Sequence, residues 1–271
     1  MHYQHIFYKK ENFKEMVSFS LLKKIIHHDM STFYSFINKD DKIIGFSRSH
    51  YWSRNANSHQ LTDSLDIINL DENKDLLGED PRTFYHNGHL YTTDNYCHDN
   101  HIQNHFTNKR VKVQLNFKNT SYISHNNKLY GIHRMMPFEF YEIDPETGIS
   151  TRVKTEEGET NSEYRGGTPG YLYAPNVYVG FGHITKNHPH EDNSKPMTHT
   201  VFLWKVDFND SIPKLTIKNV DIPTTKMLLD PTSLIKKNGK TVLVICESDE
   251  MWHNDQEFST CFYELNGLNI I

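Results

Sequence analysis

The sequence predicts an all-β chain folded as a five-bladed β-propeller, and three observations carry that expectation. One turn-and-strand pattern recurs five times along the chain. Its copies are separated by about 40 to 65 residues, the length of a four-stranded blade with its loops. Helical periodicity is confined to one short stretch near the N-terminus.

The copies follow one another in order: Asp40-Asp41 leading into Lys42–Arg48, Asn87-Gly88 into His89–Asp94, Asn126-Asn127 into Lys128–Arg134, Pro175-Asn176 into Val177–His183, and Asn238-Gly239 into Lys240–Glu247. Asn and Gly at these turns tolerate the positive φ that tight hairpins need, and the Val, Ile and Tyr that follow favour pleated backbone. Each copy therefore reads as the second strand of a hairpin. A β-sandwich would also begin hairpins at Asn-Gly; the regular spacing favours a propeller. Asn12 to Ile26 carries some apolar periodicity with Lys and Glu, and is expected as a short N-terminal helix. No Pro/Gly/Ser-rich or highly charged stretch divides residues 1–271, so one domain is expected.

Composition narrows the partners. Apolar residues make up only 36%, but 15 Tyr, 16 Phe and 3 Trp supply the large rings from which a core can be built. A net charge of -5 offers no general attraction to nucleic acid or anionic membrane, and neither is expected as a partner. Met1 to Lys10 lacks an apolar signal core, so a soluble, cytoplasmic location is expected. Cys97, Cys246 and Cys261 are odd in number and far apart, which speaks for reduced thiols rather than a disulfide framework or thiolate zinc site.

Three repeat strands end in a chemically useful residue, Arg48, Arg134 and His183. In a propeller, equivalent strand ends converge on one mouth of the channel, where arginines suit the planar oxygens of a phosphate. The sharpest local motif is Gly78-Glu79-Asp80-Pro81-Arg82. Pro81 restricts the residue before it, so Asp80 is expected to be extended and rigid, as a general acid should be. Glu79 beside it is a like charge that favours a retained proton, whereas Arg82 opposes it and is expected as structural support. His98, Asp99, His101 and His105 lie close in sequence, but Tyr96 to Asn108 is polar throughout and reads as a loop. No metal and no cofactor are therefore expected. Lys186 to His199 reads as a lid or acceptor loop carrying His188, His190, Glu191 and Asp192.

An ordered series of blocks resembles the family-130 glycoside hydrolases, which include β-mannoside phosphorylases, and the related eukaryotic β-1,2-mannosyltransferase/phosphorylases. The blocks are Gly45-Phe46-Ser47-Arg48, Gly78-Glu79-Asp80-Pro81-Arg82, Tyr130-Gly131-Ile132-His133-Arg134, Arg165-Gly166-Gly167-Thr168-Pro169 with Tyr178–His183, and Val244-Ile245-Cys246-Glu247-Ser248-Asp249. The resemblance implies a five-bladed propeller with Asp80 as proton donor acting through a sugar hydroxyl. It further implies phosphate or donor binding by Arg48, Arg134 and His183, and a grip on the sugar by Asp249. Trp52 and Trp252 lie near Arg48 and Asp249 in sequence and are expected to stack on sugar. Departures are the short chain, the lack of a long helical arm, and Glu247-Ser248 where small residues usually precede the aspartate.

The expected activity is transfer of a hexosyl group, mannosyl by resemblance, between a phosphate-containing donor and a sugar acceptor, as phosphorylase or glycosyltransferase. The expected partners are a sugar or oligosaccharide together with inorganic phosphate, a sugar phosphate or a nucleotide sugar. Two other readings stand beside it. A glycoside hydrolase would need paired carboxylates across the funnel, and a non-catalytic glycan- or protein-binding propeller would need no buried acid beside cations.

Overall fold

The computed structural model describes residues 17–28, 32–49, 56–70, 79–96, 99–115, 119–187, 197–249 and 257–271. Trp52, Trp252, His98, Gly78, and the His188, His190, Glu191 and Asp192 of the expected lid lie outside the described residues.

Five antiparallel sheets follow one another along the chain as propeller blades. Blade one is β2 (Thr32–Lys39), β3 (Lys42–Arg48), β4 (Ala56–Leu61) and β5 (Ile67–Asn69). Blade two is β6 (Glu79–His86), β7 (His89–Tyr96), β8 (Asp99–Asn104) and β9 (Lys109–Lys112). Blade three is β10 (Ser121–His125), β11 (Lys128–Arg134), β12 (Glu139–Ile143) and β13 (Ser150–Thr155). In blade four, the short β14 (Tyr164–Arg165) and β15 (Tyr171–Ala174) share one flank of β16 (Val177–Asn187), with β17 (Met197–Asp207) and β18 (Lys214–Asn219) beyond. Blade five is β19 (Leu228–Lys237), β20 (Lys240–Ser248), β21 (Phe258–Asn266) and, as its outermost strand, β1 (Ser18–His27). Pairing of β1 with β21 closes the ring, joining the two ends of the chain in one sheet.

Every recurring segment is the second strand of its blade, as expected. The turns supply the reason: Asn87-Gly88, Asn126-Asn127 and Asn238-Gly239 have positive φ at both central residues, the backbone of a type I′ hairpin. The N-terminal stretch departs from expectation, because Ser18–His27 is a strand. Its Leu21, Leu22 and Ile26 are exposed, and the free edge of β21 offers a ladder of hydrogen bonds that outweighs a weak helical pattern.

The core lies between blades. Phe36, Ile43 and Tyr34 of blade one pack on Val242, Val244 and Phe262 of blade five. Phe84 and Tyr91 of blade two stack in series with Tyr122 of blade three, at 5.6 and 5.1 Å between centroids. Trp204 fills the centre of blade four against Ile123 and Phe140 of blade three, and a Cβ on Gly180 would stand 2.3 Å from its ring. Around the axis the inner strands are stitched by small hydroxyls. Thr83 N–H donates to Ser35 Oγ at 3.1 Å, Phe36 N–H to Ser233 Oγ at 2.9 Å, and Thr232 Oγ1 to the Tyr34 carbonyl at 2.5 Å. Ser and Thr on the narrow inner strands satisfy backbone groups that have no further strand to pair with.

The Tyr96 to Asn108 segment also departs from expectation: most of it is strand, the end of β7 and all of β8. Several of its polar groups are bonded internally. Asn100 Oδ1 accepts from Thr93 and from Tyr122, and Asn104 Nδ2 donates to Tyr91 Oη. His101 and His105 go separate ways, the first to within 3.7 Å of Asp94 and the second onto Thr92 and the Phe46 ring.

Candidate functional site

The first strand of blade two carries an extra residue opposite β7, and register slips between Glu79 and Arg82. Asp80 sits in that bulge with φ 54°, in the left-handed region. It is therefore not extended, as the following proline had suggested. Proline disfavours the right-handed helical region at the preceding residue, and aspartate is among the few side chains that tolerate the left-handed alternative. Phe33 occupies the equivalent bulge in blade one with φ 55°, so the conformation belongs to the blade's architecture. At Asp80 the bulge turns a carboxylate inward, where it is only 6% exposed.

Arg48, at the end of β3 in the neighbouring blade, meets this carboxylate. Its Nη1 lies 3.5 Å from Asp80 Oδ1 and its Nη2 3.6 Å from Glu79 Oε1, so the guanidinium spans both acids. Arg82 is deeper. Its Nε donates to the Gly167 carbonyl of blade four at 3.0 Å, and Nη1 donates to the Pro81 carbonyl at 3.0 Å. Blades two and four are not adjacent in the ring, so this side chain crosses the axis. Burial lowers the pKa of the Arg82 guanidinium, and the charges of Asp80 and Asp230 work against that fall.

A second group stands where blades four and five meet. His183 on β16 and His199 on β17 are stacked at 4.6 Å, with Asp230 of β19 beside both. Asp230 Oδ2 accepts from His199 Nδ1 at 3.1 Å, and Oδ1 lies 3.3 Å from His183 Nδ1. Burial drives the His183 pKa down to about 3; Asp230 opposes the fall and His199 adds to it. Burial alone would raise Asp230, but the two imidazoles and Arg82 outweigh it and hold this carboxyl below the usual carboxylate range.

The expected site residues divide accordingly. Arg48, Glu79, Asp80 and Arg82 come together, and His183 reaches the same axial region through Asp230 and Arg82. Arg134 is bonded to its own blade and the segment after it, its Nη1 donating to Thr160 Oγ1 at 2.9 Å and to Glu139 Oε1 at 3.3 Å. The cause is local: β11 gains a residue relative to β12 between Ile132 and Arg134, and that bulge re-aims the end of the strand. Asp249 is exposed and paired with Lys226, whereas Glu247, two residues earlier, is buried and accepts from Tyr263 Oη at 2.5 Å and Thr224 Oγ1 at 3.2 Å. Cys246 and Cys261 are free thiols, both buried, and burial pushes both thiol pKa values up, Cys261 to about 12.

Sequence reasoning missed Asp230 and His199. Asp230-Pro231 repeats, in the first strand of blade five, the Asp-Pro step of Asp80-Pro81 in blade two, a signal that was available. His199 stands at the end of the segment read as a loop, but Met197–Asp207 is one continuous strand.

Taken together, fold and site define a five-bladed propeller with buried carboxylates, arginines and histidines around its axis. No protein-family model matches the chain, and no curated protein matches it in sequence. Among solved structures it is similar to a GDP-Man-dependent mannosyltransferase, MPT-1, from Leishmania mexicana, with a TM-score of 0.63 and 12% identity over 93% of each chain. It is similar to a glycosyl hydrolase from Bacteroides ovatus, with a TM-score of 0.54 and 11% identity over 93% of this chain and 91% of that one. The catalytic domain of a Coprinopsis cinerea GH62 α-L-arabinofuranosidase gives a TM-score of 0.56 and 9% identity over 94% of this chain and 98% of that one. At these identities the likeness is one of fold.

Proposed function

We propose that the protein is a carbohydrate-active enzyme that transfers a hexosyl group, mannosyl in the first instance, between a phosphate-containing donor and a sugar acceptor. The observation that carries this reading is Asp80: a buried carboxylate on a strained bulge, within 3.5 Å of the Arg48 guanidinium and in the electrostatic reach of Arg82. A binding scaffold has no need to desolvate an acid beside two arginines. In the phosphorolytic direction Asp80 gives its proton, by way of a sugar hydroxyl, to the leaving glycosidic oxygen while a phosphate oxygen held by Arg48 attacks the anomeric carbon; in the direction of synthesis the donor's phosphate leaves against Arg48 and Asp80 takes the proton of the attacking acceptor hydroxyl. Such an anion competes with Asp80 for the guanidinium, so donor binding and the charge on Asp80 are coupled. The proposal draws further support from the ordered motif blocks, and from a mannosyltransferase and glycosidases among the proteins that share the fold.

His183 is assigned to the donor side with Arg48, acting from behind it through the Asp230 group because it is itself buried, and Asp249, with Trp52 and Trp252, to the sugar. Arg134 is retained as a more peripheral donor contact, tied as it is to Glu139 and Thr160. The test is turnover with GDP-mannose, and with mannose 1-phosphate or inorganic phosphate plus a mannoside, in wild type and Asp80→Asn. The variant should lose about 10²–10⁴-fold in turnover while keeping ligand affinity, as expected when a general acid is removed without changing volume. Near-normal turnover by Asp80→Asn on a confirmed substrate would falsify the assignment. Water-dependent cleavage with no phosphate or nucleotide sugar required would instead favour a hydrolase, with Asp230 as the second carboxylate.

A further inference from the structure

The pair of stacked histidines beside Asp230 is poorly explained by hydrogen bonding alone. Of the four ring nitrogens, one, His199 Nδ1, is matched to a carboxylate oxygen. His183 Nδ1, His183 Nε2 and His199 Nε2 are buried without a hydrogen-bond partner among the described residues, and Thr185 Oγ1, two residues along β16, is in the same condition. His183 is 1% and His199 4% exposed, so water from bulk does not reach them freely. Buried polar atoms are almost always satisfied, so a cluster of this kind calls for an ion, a ligand or an enclosed water.

We infer that His183, His199 and Asp230 form a metal-ion site of the two-imidazole, one-carboxylate class, suited to Zn2+ or a similar first-row divalent ion. The candidate ligand atoms all lie within 4.8 Å of one another. His199 Nδ1 lies 3.1 Å from Asp230 Oδ2 and His183 Nδ1 3.3 Å from Asp230 Oδ1, so the carboxylate presents one oxygen to each imidazole, and both separations are of the size found between neighbouring ligands of an ion with bonds of about 2.0–2.1 Å. His183 Nδ1 stands at that separation from Asp230 Oδ1 without hydrogen-bond alignment, as adjacent ligands of one ion do and as a simple hydrogen-bonded pair does not. Nitrogen and oxygen donors without thiolate favour zinc and its neighbours over copper(I) or iron–sulfur chemistry.

The fold holds the three ligands in place. His183 and His199 lie diagonally across the β16–β17 ladder, where His183 is opposite Val201 and His199 opposite Thr185, while Asp230 comes from the first strand of the next blade. An ion here would pin blade four to blade five. Three protein ligands leave a fourth position for a solvent or substrate oxygen.

The test needs no sugar or phosphate, so its failure is separable from failure of the proposed activity. The full chain is stripped with a chelator and titrated with Zn2+ against a chromophoric competitor, and with Co2+ while the visible ligand-field bands are followed. Wild type should take up about one equivalent, with Co2+ bands of the intensity of a four-coordinate site. His199→Gln and Asp230→Asn should each weaken uptake by about tenfold or more, the scale on which altering a metal site's ligand environment acts. His101→Gln, which alters the imidazole beside Asp94, should leave it unchanged. Circular dichroism establishes that each variant is folded. Uptake by wild type of less than about half an equivalent overturns the inference whatever the variants do. So does equal weakening by His101→Gln and His199→Gln.

Discussion

Replacing Arg82 by Met should destabilise the protein by about 4 kcal/mol, and the structure gives the terms. The guanidinium makes two buried bonds to main-chain carbonyls, Gly167 and Pro81, both at 3.0 Å. Hydrogen bonds involving a charged group contribute about 1.5–3 kcal/mol each, and removing one member of a buried charged set costs about 3–5 kcal/mol because the rest stays desolvated. The substitution also relieves the desolvation cost of Arg82 itself, the same cost that lowers its pKa. The two tendencies place the net effect near the middle of that range. For a domain of this size 1 kcal/mol moves the melting temperature by about 2–4 °C, so Arg82→Met should melt about 10 °C below wild type. Arg82→Lys keeps the charge but not the fork, and should fall about half as far. Adding Asp80→Asn to Arg82→Met should recover part of the loss, because it removes a carboxylate that has lost one of its two guanidinium neighbours. Lys109→Met, which breaks an exposed pair with Glu146, is the control and should not move the melt measurably. Scanning calorimetry decides the matter: an Arg82→Met protein melting within about 2 °C of wild type refutes the reading of Arg82 as an axial cross-brace.

Further outcomes are expected. Gly180→Ala places a methyl 2.3 Å from the Trp204 ring and 2.8 Å from the Pro169 carbonyl, and should cost about 1–3 kcal/mol or more by urea denaturation, whereas Gly239→Ala meets no neighbour but a φ of 75° and should cost less. Arg48→Lys should weaken binding of inorganic phosphate or GDP-mannose, read as a smaller thermal shift at equal ligand, and an unchanged shift counts against Arg48 as a donor contact. Two groups set opposing acid responses. His105 is held near 4, chiefly by burial and then by Lys39, against 6.5 when unfolded, so below pH 6.5 only the unfolded chain takes its proton and stability falls until about pH 4. Asp94 is raised to about 6 by burial, against Arg110, from 3.8, so as pH falls through 6 the folded state binds the proton first and stability rises. Asp94→Asn should therefore steepen the loss of urea midpoint between pH 7 and 5, and His105→Gln should flatten it; parallel slopes in both would show that neither group titrates this way.

The repeat was legible because it rests on local chemistry. A type I′ turn demands residues that accept positive φ, and Asn-Gly or Asn-Asn followed by alternating apolar residues announces one wherever it occurs. The number of copies then gave the number of blades. Strand β1 was not legible in the same way, since its reason for being a strand is the free edge of β21, about 240 residues further along the chain. For the site, Glu79-Asp80-Pro81-Arg82 stood out as a motif, but its conformation did not: the positive φ at Asp80 arises from a bulge opposite β7, and a bulge is a property of pairing between two strands rather than of either alone.

Arg134 and His199 show why equivalent positions in a repeat need not be equivalent in use. Arg48, Arg134 and His183 each stand six residues beyond the residue that closes the hairpin turn, Lys42, Lys128 and Val177. In β3 and β16 the pairing with the next strand runs through that point in register, whereas in β11 an extra residue intervenes just before it. One inserted residue thus separates a guanidinium that reaches the Asp80 carboxylate from one that turns to Glu139 and Thr160. His199 is the converse case. It belongs to no repeat copy, yet a continuous β17 sets it diagonally behind His183, and Asp230 of the next blade completes the group. The chemistry of this axis therefore follows the register of five hairpins and the junctions between them, which explains how residues from four different strands of blades two, four and five can answer to one another through Arg82.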